Sequence, residues 1–297
     1  MELRQLRYFV TLAEELNFRR AAEREHIVQS ALSQQISRLE RELRTTLFER
    51  STHHVCLTSA GEAFLIEARS ILCQVERAKA VALGAATVHP ELRVGINDPA
   101  FDTMPQLLRA VQREHPDLVI HRYESGVPEQ CKLLAESRLD VGFGRASQLP
   151  HNISSEVIRL DQMGVLVGAQ HRFAKLKAVP ITELKTEHFA RGTGTQGTQA
   201  ADFVKEMCRA AGFTPTAYPG RVQSVRGAAE LVATGLAIAC LPRSCGVVSV
   251  EARWVPLVDP VVHYPWSLLW RAGDQRSAQL VLSSARKLAH TQGWLDP

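Results

Sequence analysis

The sequence predicts two architectures in one chain: an N-terminal all-α unit with a helix-turn-helix and a small β-wing, then, across one long helix, a C-terminal α/β domain. Three observations carry this. The first 58 residues are dense in helix signals and contain neither Gly nor Pro. Residues 59–88 read as a single helix. From Pro90 onward, short apolar strands alternate with helical patterns, the rhythm of a parallel sheet flanked by helices. At 297 residues the chain is long enough for two domains.

Composition removes several function classes. With 45% hydrophobic and 22% charged residues the chain has material for a sizeable core. No stretch approaches the roughly 20 apolar residues of a membrane span, so no membrane partner is expected. Charges in Met1–Arg7 stand where a signal peptide needs an apolar run, which predicts a cytoplasmic location. The Cys at 56, 73, 131, 208, 240 and 245 form no CxxC pair and read as reduced thiols. Neither HExxH nor a Cys/His cluster marks a metal site, and no GxSxG elbow marks a nucleophile. No catalytic residue, cofactor or metal is therefore expected. The net charge of +4 permits a polyanionic partner without demanding one.

In the N-terminal part, Leu6, Phe9, Val10 and Ala13 mark one helical face. Asn17 is a good N-cap for a second helix from Phe18 to about Glu25. After the link His26-Ile27-Val28 comes a third, with Leu32, Ile36, Leu39 and Leu43 on its apolar face. Its other face carries Gln29, Ser30, Ser33, Gln34, Ser37 and Arg38. Gln amides can read adenine edges bidentately, Ser hydroxyls tolerate several bases, and Arg reaches guanine or phosphate. The runs Leu47–Arg50 and Val55–Thr58 predict a wing that sets Arg50, with help from His53 and His54, over a phosphate backbone. Pattern alone leaves a second reading open. Residues 1–58 hold nine Arg, no Lys and eight acids, and many three-helix units bind protein.

The runs Leu6-Arg7-Tyr8-Phe9-Val10, Glu14–Phe18, Ala21-Ala22, Gln29–Glu40, Leu47-Phe48-Glu49-Arg50 and Leu57-Thr58-Ser59-Ala60-Gly61 together resemble a LysR-type transcriptional regulator. The resemblance implies a winged helix-turn-helix that binds double-stranded promoter DNA as a dimer of dimers and recruits RNA polymerase. The family's recognition-helix contacts fall on Gln29, Ser30, Ser33, Gln34 and Arg38, and its wing arginine on Arg50, with His53 beside it. Two departures stand out. Val28 replaces the usual Ser or Thr before the recognition helix, removing an N-cap that is typically worth ~1 kcal/mol. His53 and His54 stand where the family usually carries further Arg.

The long helix predicts a dimer strut. Ser59-Ala60-Gly61-Glu62 is a capping-box pattern. Phe64, Ala68, Ile71, Val75, Ala78 and Ala82 recur in alternating steps of four and three, a coiled-coil seam. A helix over 59–87 would run on the order of 40 Å. The alternative is an amphipathic helix packed on its own domain.

In the C-terminal part, Leu92–Ile96, Leu118–Ile120, Leu139–Phe143, Met163–Val167, about Ala217–Val222, Leu236–Pro242 and Trp266–Trp270 read as strands. Helices follow many of them, one ending at Gly212, one capped by Ser224 and ending at Gly235, and the last over Ser277–His290. Ligands of such sheets bind beyond the strand carboxyl ends. The loops there carry hydroxyls, amides and one cation, Arg145, a set suited to a carboxylate-like anion. Arg145 could equally be a solvated side chain or the partner of an acid. The candidate effector residues are Asp98, Ser125, Val127, Arg145, Thr193, Thr195 and Ser224. Gly192–Gly197 spells GxGxxG, but Gln223-Ser224-Val225 offers no acid after the next strand, so a nucleotide site is not expected.

Asp140–Arg145 and Leu231–Pro242 resemble the effector domain of the same family, which is similar to periplasmic binding proteins: two α/β lobes around a cleft. This implies a DNA-binding domain over 1–58, a linker helix over 59–88 and an effector domain over 89–297. Lobe I would cover about 91–161 and 267–297, and lobe II about 162–266. Gly142-Phe143-Gly144-Arg145 is similar to the subgroup controlling aromatic-compound degradation, whose muconate-like dicarboxylates would meet Arg145. A Thr is common in that family where this chain has Val127-Pro128, and Pro has no N–H to donate.

Overall fold

The computed structural model describes residues 1–50, 54–82, 91–97, 102–190, 198–220, 222, 225–245, 251–273 and 275–296. The chain folds as two compact units, one over Met1–Val88 with Ala135–Ser137 and one over the remainder.

The first unit contains α1 (Leu3–Glu15), α2 (Phe18–Arg24), α3 (Gln29–Leu43), β1 (Phe48–Arg50), β2 (Val55–Leu57) and α4 (Ser59–Ala82). Asn17 caps α2 as expected, its side chain accepting from the Arg20 N–H at 3.1 Å. Val28 is the N-cap of α3 and supplies no side-chain acceptor. Leu6, Phe9, Leu12, Ala21, Leu32, Ile36, Leu39 and Phe48 form one buried cluster. Phe9 is its centre, with ring centroids 5.3 Å from Phe48 and 5.0 Å from Phe64.

The wing is a two-stranded antiparallel hairpin pairing Phe48 with Leu57 and Arg50 with Val55. Glu40 of α3 anchors it: one carboxylate oxygen accepts from the Leu47 N–H at 2.9 Å and the Phe48 N–H at 3.1 Å. The predicted capping box at Ser59 is corrected. Thr58 caps α4, its Oγ1 accepting from the Gly61 N–H at 2.9 Å and donating to the Thr46 carbonyl at 2.8 Å. The third position of the helix is then Gly61, where a box would need Glu. Gly61 is there because a Cβ would collide with the Leu47 carbonyl oxygen.

The predicted seam of α4 also divides. Ala68 is fully buried and Phe64 and Ile71 half-buried against the cluster around Phe9. The front of the repeat thus serves the packing of its own unit. Ala78, farther along, is exposed.

The second unit runs β3 (Glu91–Ile96), α5 (Thr103–Glu114), β4 (Val119–Glu124), α6 (Val127–Ala135), β5 (Val141–Gly144) and β6 (Ile153–Gly168). It continues through β7 (Val179–Pro180), β8 (His188–Phe189), α7 (Thr198–Ala210), β9 (Thr216–Ala217), α8 (Val225–Ala233), β10 (Ala239–Pro242), β11 (Ala252–Val258), β12 (His263–Arg271) and α9 (Gln275–Gln292). The main sheet has the order β4-β3-β5-β12-β6-β11-β7, with β10 also on β6.

The parallel sheet expected from the strand–helix alternation is mixed. β3 pairs parallel with β4 and β5, whereas β12 is antiparallel to β5 and β6, and β10 and β11 are antiparallel to β6. The reason is the length of β6. Its first part, Ile153–Gln162, pairs with β12, and its second, Met163–Gly168, pairs with β10 and β11. One strand therefore serves both parts of the sheet, and β12 returns alongside it in the opposite direction. Gly212 and Gly235 follow α7 and α8 with φ of +85° and +77°, the left-handed geometry that Gly adopts without strain.

Candidate nucleic-acid interface and ligand cleft

α3 separates its two faces cleanly. Leu32, Ile36 and Leu39 are buried, while Gln29, Ser30, Gln34 and Arg38 are exposed and Ser33 and Ser37 half-buried. The structure thus brings the five predicted contacts of this helix onto one accessible face. Gln35 is excluded from that face, because its Oε1 accepts from the buried Gln5 Nε2 at 3.5 Å. With no side-chain cap from Val28, the first N–H groups of α3 keep their donor capacity, which suits a phosphate. Arg38 donates from Nε to Glu42 Oε1 at 3.2 Å. The other Glu42 oxygen lies 2.7 Å from the Met1 ammonium. That ammonium first, and Arg38 after it, hold the Glu42 carboxyl below its usual range.

Four other arginines of the unit are held by carboxylates. Arg7 pairs with Glu25, Arg19 with Glu23, Arg20 with Glu15, and Arg24 with Glu14 and Glu15. Arg50 occupies the last position of β1, its side chain outside the described residues, as is His53.

In the second unit, Asn97, Ser125 and Arg145 follow β3, β4 and β5 at their carboxyl ends, where such sheets bind ligands. The Ser125 N–H donates to the Ile96 carbonyl at 3.0 Å, which ties the first two loops together. Gln130 fixes the next pair: it donates to the Ser125 and Phe143 carbonyls and accepts from the Phe143 N–H at 2.8 Å. Ser125 Oγ and Asn97 Oδ1 are buried with no hydrogen-bond partner among the described residues. Buried polar atoms of this kind normally find partners.

Arg145 leaves β5 half-buried. Its Nη2 lies 2.9 Å from Glu206 Oε2, and its guanidinium carbon 4.8 Å from the Phe203 ring centroid. Phe203 meets Tyr264 at 4.9 Å, Tyr264 meets Trp266 at 4.8 Å, and Trp266 stacks on Phe143 at 5.1 Å. An aromatic row therefore leads from the cation to the core of β5. Burial pushes the Tyr264 phenol well up, with Arg145 opposing. Beneath the row, Asp161 Oδ2 accepts from the Trp266 Nε1 at 3.2 Å and from the Ser244 N–H at 3.0 Å.

Val127 packs its side chain inward. It is 2% exposed, and its Cγ2 fills the space beside Gly144 where a Cβ would stand. Asp98, Thr193, Thr195 and Ser224 lie outside the described residues, as does Gly192–Gly197. Sequence reasoning placed Asn97 in a loop beyond the strand ends without naming it a candidate, and did not reach Phe203 or Glu206. Asn97 carried a local signal as the first polar residue after an apolar strand. Phe203 and Glu206 carried none, because only the fold brings α7 to Arg145.

A separate groove of about 810 Å³ is lined by Gly168, His171, Arg172, Glu187 and Gly235 among others, and holds none of the candidate residues. Cys240 is buried and its thiol pushed far above the ordinary value, by burial first and then by Cys208. Among the described residues, no group of His, Cys, Asp and Glu could hold a metal ion, and no helix is long and apolar enough to cross a membrane.

Two family models match the chain: the bacterial regulatory helix-turn-helix protein model of the lysR family over residues 3–62, and the LysR substrate binding domain over residues 85–283. The chain belongs to the LysR family. YnfL of Escherichia coli strain K12, an uncharacterized HTH-type transcriptional regulator, is 34% identical over 286 residues, covering 93% of this chain and 94% of that protein. The HTH-type transcriptional regulator BenM of Acinetobacter baylyi is 32% identical over 302 residues, covering 100% and 99%. Full-length CbnR complexed with its target DNA has a TM-score of 0.59 at 28% identity, covering 96% of this chain and 100% of that one. This LysR-family chain is accordingly a DNA-binding transcriptional regulator and not an enzyme. Its second unit holds the family's two-lobed effector-binding domain.

Proposed function

We propose that the regulator reads an inverted repeat upstream of a promoter through Gln29, Ser30, Ser33, Gln34 and Arg38, with Arg50 and His53 of the wing on the phosphate backbone. One recognition helix covers too few base pairs for useful specificity, so two must act together. The domain division is at 58 and 88, and the helix over 59–88 joins the copies into a dimer and then a dimer of dimers in the cytoplasm. A small carboxylate-like effector binds in the cleft, held by Arg145 with Ser125, Asp98, Thr193, Thr195 and Ser224. It acts by binding one oligomer conformation more tightly than the other, which changes DNA bending and the recruitment of RNA polymerase to a metabolic operon.

The observation that supports the DNA-reading part most strongly is the exposed amide and hydroxyl face of α3, set against its buried Leu32-Ile36-Leu39 face. DNase footprinting upstream of the regulator's own gene tests it. Gln34→Ala or Ser33→Ala should weaken sequence-specific protection while dimerisation persists, and equal protection would refute the assignment. Arg145→Ala should abolish the response to carboxylates and leave DNA binding intact.

A further inference from the structure

Arg145 already has a carboxylate. Among the described residues its acidic partner is Glu206 of α7, through a single Nη2–Oε2 contact at 2.9 Å. The two ends of the pair differ. The Arg145 side chain is 17% exposed and lies over Phe203, whereas the Glu206 side chain is 60% exposed. The guanidinium is thus fixed by its surroundings, while the carboxylate can turn into water at little loss. A guanidinium offers five donors, and a free carboxylate arriving bidentate would make two parallel charge-assisted bonds in place of one.

We propose that Glu206 is a tethered carboxylate that occupies Arg145 until the carboxylate of a small organic acid displaces it. This rests on the reading of Arg145 as the seat of the effector's anionic group, and names the residue that sets the threshold for that seat. The chain competes with its own ligand, so only acids with further contacts in the cleft bind well. Asn97 Oδ1 and Ser125 Oγ, buried and unpartnered among the described residues, are groups that could provide such contacts. Displacement also releases α7 from the end of β5. Ligand binding thereby alters a link between two elements of the domain.

The test is calorimetric titration of the full-length protein with four probe acids: acetate, succinate, benzoate and cis,cis-muconate. Glu206→Gln should bind at least one of them about two- to fivefold more tightly than the wild type, the upper part of the range of one partly exposed ion pair. Glu206→Asp keeps the charge but cannot span the contact, and should show a similar gain. Asp202→Asn removes a charge from the same helix, where it pairs with Lys205 at 2.9 Å, and should change affinity less than about twofold. Equal affinities of wild type and Glu206→Gln overturn the tether. So does a gain in Glu206→Gln without one in Glu206→Asp, which would mean long-range charge and not contact. Arg145→Gln separates the two readings. If it binds like the wild type, Arg145 is not the seat. If it loses binding while Glu206→Gln gains nothing, only the tether fails. If neither wild type nor Glu206→Gln takes up any of the four acids, both are refuted.

Discussion

Glu42 stands between two cations, with the Met1 ammonium 2.7 Å from one of its oxygens and Arg38 Nε 3.2 Å from the other. Arg38 is one of the five residues on the exposed face of α3, and on the proposed reading this carboxylate competes with DNA for its charge. Glu42→Gln should raise non-specific DNA affinity and steepen its salt dependence by up to about 0.9 in the log–log slope, the effect of one more phosphate neutralised. Fluorescence anisotropy across a salt series measures both. Identical slopes would show that Arg38 does not reach phosphate.

Val28→Ser should stabilise the first unit. Val28 is the N-cap of α3, 67% exposed and without an acceptor. Serine at such a position typically adds about 1 kcal/mol. A thermal melt should move upward, and DNA affinity should fall if the helix's first N–H groups serve a phosphate. A melt that does not rise would place the cap elsewhere.

Gly61→Ala should destabilise the same unit by about 1–3 kcal/mol, the usual effect of overpacking. The added Cβ would run into a backbone oxygen, that of Leu47, and stand 2.9 Å from Leu57 Cδ2. Because the clash lies where the wing meets α4, amide exchange should quicken in 47–61 before it does in α1. Unchanged exchange there would show that the junction can yield.

The acid limb of the second unit's stability should depend on Glu156. Arg286 of α9 donates to its two oxygens at 2.8 and 2.6 Å. That hydrogen bonding holds the carboxyl below its ordinary value against a smaller opposing effect of burial. With the folded value depressed, the contribution is present above the unfolded value, near 4.3, and lost as pH falls through the folded one. The pair is largely exposed and its effect correspondingly small. Glu156→Gln should flatten the fall in melting temperature between about pH 5 and 3. An unaltered curve would assign the acid limb to other carboxylates.

The helical part is legible in the sequence because its signals are local. The Asn17 cap, the spacing of Leu32, Ile36 and Leu39, and the amide-rich opposite face all act within a few residues. The cap of α4 reads one residue late because Ser59 and Glu62 mimic a box. What selects Thr58 is the approach of Leu47, which sequence does not display. The parallel sheet is half legible. Strand–helix alternation predicts β3, β4 and β5 correctly, but the apolar run Met163–Val167 is only the end of a strand beginning at Ile153. Its first part mixes buried, half-buried and exposed residues and carries Glu156 and Arg159, so it lacks the continuous apolar run of a buried parallel strand. In the cleft, Arg145 stands out as the lone cation in loops of hydroxyls and amides. Its neighbours Phe203 and Glu206 do not, since they come from a helix remote in sequence.

Glu40 gives the wing its address. One carboxylate oxygen of α3 accepts from the Leu47 and Phe48 amides, which ties the helix to the hairpin. Any tilt of α3 in a groove swings the hairpin with it. Where the hairpin stands relative to α3 is then set in part by this one side chain. Lengthening the turn that Glu40 clasps would shift the hairpin and leave Gln29, Ser30, Ser33, Gln34 and Arg38 in place.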